Sequence, residues 1–136
     1  MKIKNALFLL ILVSFIACTK SSEKKLIGVW TGSELSIKSD SLKMDSTIWN
    51  ENREAHKSTT YEFMKNHDYQ VKMNYKGNST VSNGKWHFDK KTNGLTVIDT
   101  VSGTVQDHLI VKINSEDLVL KSTFAFGEVT AKFKKK

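Results

Sequence analysis

The chain has 136 residues, a formal net charge of +7, one cysteine and no proline. That length fits a single domain, and a lone cysteine excludes an internal disulfide framework. Nothing repeats at a period that would signal a solenoid or a propeller.

The N-terminal segment comes first. Lys2 and Lys4 precede an apolar run, Ala6 to Ile16, broken only by Ser14. A helix needs ~20 such residues to span a bilayer, so this run is too short. A basic start, a short apolar core and a small residue at a boundary read as a secretory signal. The boundary, Phe15-Ile16-Ala17-Cys18, resembles the lipobox of bacterial lipoproteins. The resemblance implies cleavage after Ala17, with Cys18 then carrying diacylglycerol on sulfur and a further acyl chain, a palmitate, on its amine. Two or more acyl chains hold stably to a membrane, whereas one does so marginally. The alternative is a buried, inert cysteine. Residues 1–17 are thus expected to be a signal peptide and 18–25 a lipidated tether, since "TKSSEKK" is polar and aperiodic. A basic balance often points to nucleic acid, but an exported chain meets anionic headgroups, lipopolysaccharide phosphates or acidic glycans instead. A plainly solvated basic surface is the simpler reading.

Residues 26–136 read as all-β. In "DYQVKMNY", Tyr69, Val71, Met73 and Tyr75 alternate with Asp68, Gln70, Lys72 and Asn74. Side chains change face at every strand residue, so one face is dry and one wet. The first strand is expected within Leu26 to Ile37, the second around Thr59, Tyr61 and Phe63, and the fourth over Thr80 to Phe88. Asn93-Gly94 signals a hairpin. Four more strands follow: Leu95 to Thr100, Thr104 to Ile113, Leu118 to Ser122, and one from Gly127. In the sixth, Leu109, Val111 and Ile113 alternate with His108, Ile110 and Lys112. Eight short-linked antiparallel strands hide their edges by closing into a barrel. One link is long. Lys38 to Lys57 spans 20 residues, and "STIWN" within it fits an extra strand or a short helix.

"LIGVW" at Leu26 to Trp30, "TTYEFM" at Thr59 to Met64 and "NGKWHFDKKTNGLTVID" at Asn83 to Asp99 together resemble the lipocalins, specifically bacterial lipocalin-like lipoproteins. The resemblance implies an eight-stranded up-and-down barrel plugged at one end by Trp30, with the 38–57 loop over the open end.

The inward aromatics are the candidate ligand-binding residues: Tyr61, Phe63, Tyr69, Met73, Trp86 and Phe88. They line a pocket, or they fill the barrel as plain core, because eight strands enclose little spare volume. Trp49 stands in the polar loop, as a lid or as a pin holding the loop down. His56, His67, His87 and His108 are dispersed, without the spacing of a metal site, so no metal and no cofactor is expected. No catalytic signature is present, and the chain is not expected to be an enzyme. Asp40-Ser41, Asp45-Ser46 and Asp99-Thr100 resemble a bacterial O-glycosylation sequon, with Ser41, Ser46 and Thr100 as acceptors; Asp-Ser pairs also favour turns. The terminal "KFKKK" either touches anionic headgroups or frays.

Thr19, not Asp, follows Cys18. In the enterobacterial sorting scheme this implies an outer-membrane lipoprotein facing the periplasm, with surface exposure as the alternative. Two functions follow. One is a carrier that binds or sequesters a small apolar ligand. The other is an interaction module for an envelope protein, using the 38–57 loop.

Overall fold

The computed structural model describes residues 22–39 and 46–136. The signal peptide, Cys18 and Ser41 lie outside the described residues, as does the Ser46 side chain. The elements are α1 (Ser22–Leu26), β1 (Gly28–Lys38), α2 (Ser46–Lys57), β2 (Thr59–Phe63), β3 (Asp68–Tyr75), β4 (Asn78–Asp89), β5 (Gly94–Asp99), β6 (Val105–Ile113), β7 (Asp117–Phe124) and β8 (Gly127–Lys135). Each strand pairs antiparallel with the next, and β8 returns to β1. The result is an all-β, closed, up-and-down barrel of eight strands, which leaves no free sheet edge.

The two ends differ because the strands alternate direction. The turns β2–β3, β4–β5 and β6–β7 sit at one end with α1 and the C-terminus. The turns β3–β4, β5–β6 and β7–β8 sit at the other with α2. The first end is solid. Leu26, Trp30, Phe63, Trp86, Phe88, Leu95, Leu118 and Phe133 form one buried cluster there and below the barrel's middle. Trp30 is fully buried, and its indole N–H donates to the Leu26 carbonyl at 2.8 Å. The Lys135 ammonium lies 4.6 Å from the Trp30 ring and donates to the Lys25 and Ile27 carbonyls. A cation over a desolvated indole face stabilises by ~2 kcal/mol. Gly28 adopts φ 134°, and a Cβ there would lie 2.7 Å from the Lys135 stem. The glycine of Gly-x-Trp is what admits that lysine.

Three local expectations change. The first strand begins at Gly28, because Leu26 ends α1 and is buried beneath Trp30. "STIWN" opens the 12-residue helix α2. Its buried residues, Trp49 and His56, stand seven apart, which puts them on one helix face. In β6 the dry face is the opposite one: Ile110 is buried, while Leu109 and Val111 are 44% and 57% exposed. The pairing with β7 skips from Ile110 to Lys112. Val111 is the extra, bulged residue, and the bulge returns Ile113 to the core side.

Candidate functional site

Towards the open end the barrel is not filled. A cavity of about 320 Å³ lies beneath α2, bordered by side chains of every strand except β4. The tight seating of α2 makes it a roof. At Gly32 of β1 a Cβ would meet the His56 carbonyl oxygen at 2.1 Å, so only glycine allows this contact. The His56 ring then bonds from Nε2 to the Lys132 carbonyl of β8 at 3.0 Å. Trp49 covers the cavity from the same helix face, with the Arg53 guanidinium 5.4 Å from its ring.

Tyr61, Phe63, Tyr69, Met73 and Trp49 all border the cavity. Trp86 and Phe88 do not. Both point inward but lie at the closed end, where the Trp86 indole donates to the Met64 carbonyl at 3.0 Å and meets Phe63 edge-on. Trp30, the barrel plug, likewise takes no part in the cavity wall. The aromatic wall is well ordered by ring contacts: Tyr61 meets Phe133 edge-on at 4.9 Å, and Phe63 packs on Tyr69 at 5.2 Å.

The polar atoms in this wall are few. Burial pushes the Tyr61 hydroxyl up to about 12. Tyr69 is raised further, by burial first and then by the neighbouring Tyr61. Both therefore remain neutral O–H groups, able to donate. No hydrogen-bond partner for either hydroxyl exists among the described residues. The Trp49 indole N–H is also buried without a partner. A buried donor of that kind costs ~1–3 kcal/mol when left unpaired.

Across the barrel, His108 of β6 and Ser122 of β7 form a second polar spot, bonded Nδ1 to Oγ at 2.5 Å. Burial lowers the His108 pKa, opposed by the Asp107 charge, and burial lowers His56, opposed by hydrogen bonds to the Lys132 and Glu34 backbone. Neutral imidazoles at both places keep the cavity uncharged. Sequence reasoning passed over His56, His108 and Ser122 as site residues. The one available signal was His56 standing seven residues after Trp49.

A polar vestibule of about 370 Å³ adjoins the cavity and shares Tyr61, Tyr69, Val97 and Gln106 with it. Its rim is set by Asp99, which accepts from the Ser82 hydroxyl and from the Ser102 and Val101 backbone. These bonds hold its carboxyl at about 2. Thr100, beside it, is exposed and donates its hydroxyl proton to the Asn83 carbonyl at 3.0 Å. Among the described residues no three His, Cys, Asp or Glu side chains gather as a metal site would require.

No protein-family model matches this chain, and no curated protein matches it. Solved structures do. Bovine odorant-binding protein in complex with a selenium-containing odorant superposes with a TM-score of 0.52 at 14% identity, over 87% of this chain and 74% of that one. The same bovine protein in complex with undecanal gives 0.50 at 15% identity, over 88% and 76%. At that identity the likeness is one of fold: this chain is a closed eight-stranded barrel similar to the lipocalins.

Proposed function

We propose that the protein is a membrane-anchored, non-enzymatic lipocalin-like barrel that binds or sequesters a small apolar ligand bearing one polar tip. The carrying observation is the roofed cavity, apolar in its walls, with the buried Trp49 N–H and the half-buried Tyr61 and Tyr69 hydroxyls unpartnered beside it among the described residues. Ligand pockets are mostly apolar with a few polar groups that fix orientation. At about 320 Å³ the cavity stands at the small end of such pockets. Tyr61, Phe63, Tyr69, Met73 and Trp49 are the contacts in this reading; Trp86 and Phe88 shape the floor indirectly. The solved complexes with an odorant and with undecanal support a binding barrel as a use of this fold. Anchoring rests on the lipobox at Cys18, and the proposed location is the outer membrane, facing the periplasm.

Native mass spectrometry of the chain from Thr19 onward, purified from its own host without detergent, tests the binding reading. An added small mass that leaves on denaturation is expected; a clean apo mass overturns it. Intact mass of the full membrane-extracted protein tests the lipid on Cys18, and sugar masses at Ser41, Ser46 or Thr100.

A second reading, an envelope-protein interaction module, is favoured by one feature. Ile48, Val101 and Phe124 are 54%, 92% and 47% exposed around the open end, and exposed apolar clusters mark contact surfaces. A photo-crosslinker at Ile48 that captures one envelope protein, with the cavity empty, selects it.

A further inference from the structure

At the closed end α1 lays Lys24 beside an open groove. Lys65 of the β2–β3 turn and Lys90 of the β4–β5 turn reach the same groove, whose floor is Ile27 and Trp86. His67 stacks on Trp86 at 4.5 Å and bonds its ring to the Trp86 carbonyl. One carboxylate enters, that of Glu23, 3.5 Å from His67 Nε2. Lys24, Lys65 and Lys90 are exposed and make no ion pair among the described residues. Lys91 lies next to Lys90, and Lys136 ends the chain at this same end. Lys85, Lys112 and Lys134, nearer the same end, are by contrast paired with Asp68 or Asp117. Three lysines without ion pairs among the described residues thus meet at one groove, at the end opposite the cavity mouth.

We infer that this lysine-rich closed end docks on an anionic phospholipid surface and turns the cavity mouth away from the membrane. Charge complementarity is one support. Chain length is the other: Cys18 stands four residues before Ser22, where α1 begins. Four residues span at most about 14 Å, under twice the reach of a surface charge at physiological salt, about 8 Å. A barrel anchored there meets the headgroups with its closed end, and its ligand enters from the aqueous side. The orientation rests on the anchored reading above; the affinity of the lysine patch does not.

The barrel closes and fills its core within residues 26–136, so the chain from Thr19 serves for the first test. It is expected to co-sediment with phosphatidylcholine vesicles containing phosphatidylglycerol, and not with phosphatidylcholine alone. Each lysine near such a surface strengthens binding on the order of fivefold. The combined Lys24→Gln, Lys65→Gln and Lys90→Gln variant should therefore bind roughly a hundredfold more weakly. A matched Lys38→Gln, Lys57→Gln and Lys72→Gln variant, away from the groove, should lose under about tenfold. No binding to the anionic vesicles, or equal loss in both variants, overturns the patch. Binding to heparin but not to vesicles, with the same lysine dependence, marks a soluble polyanion site and overturns the lipid assignment. For orientation, the acylated full chain carries a fluorophore at Lys91→Cys or at Ser102→Cys on vesicles with a headgroup quencher. Stronger quenching at 91 is expected. Equal or stronger quenching at 102 overturns the orientation while leaving the vesicle result standing.

Discussion

At the closed end Trp30 is wholly buried, its N–H is bonded, and a lysine caps its ring. At the open end Trp49 is also buried, yet its N–H has no partner and its cover is one face of one helix. Two tyrosine hydroxyls nearby are equally unserved. The first tryptophan spends its polar atom on the fold; the second leaves it over for something else. Where a small barrel satisfies every group it gains stability, and where it declines to do so it keeps unpaired donors beside an empty volume. That contrast supports the proposed binding site more than the count of aromatics does.

The largest expected effect lies at the closed end. Trp30→Ala should cost about 3–5 kcal/mol, as large-to-small core changes do, read from urea unfolding. Trp49→Ala, measured alongside, should cost clearly less; equal costs would erase the distinction between the ends. Next comes the roof. Gly32→Ala pushes a methyl into the His56 carbonyl, so α2 must lift at a cost of about 1–3 kcal/mol. Amide exchange should quicken across 46–57 while β3 and β4 keep their protection. Third, Tyr61→Phe and Tyr69→Phe remove hydroxyls that bond nothing among the described residues, so stability should hold or rise slightly. Affinity for a ligand with a polar tip should fall by ~0.5–1.5 kcal/mol each, by calorimetry. The smallest effect is on pH dependence. His56 and His108 have folded pKa values below the usual 6.5. Between folded and unfolded values the unfolded state binds more protons, so stability declines as pH drops below about 6.5 and levels off beneath the folded values. His108→Gln should flatten part of that slope in denaturation midpoints measured from pH 7.5 downward.

Much of this was legible in the residues. Alternation through Tyr69, Val71 and Met73 marks a strand with one dry face, and seven neighbours built the same way leave closure as the economical arrangement. Gly-x-Trp pointed to the plug. What alternation cannot report is height along the barrel axis. Trp86 and Phe88 face inward as expected, but a period of two says nothing about which end they occupy. Nor does it survive a bulge: one inserted residue at Val111 reverses the face of His108 and Ile110. The His108–Ser122 contact needs the register between β6 and β7, which a linear pattern does not contain. For α2, Ile48 beside Trp49 hid a helical spacing that His56 completes.

Lys135 reaches back to the Lys25 carbonyl across 110 positions of the chain. The final strand is thus the one that locks the first, together with the tryptophan it encloses. Contacts so distant in sequence make folding slow. During synthesis the sheet has no seam to close until β8 emerges, and a sheet of β1 to β7 alone keeps a bare edge on β1 and on β7. A protein built this way is committed late, when the strand that carries this lysine comes to lie on β1.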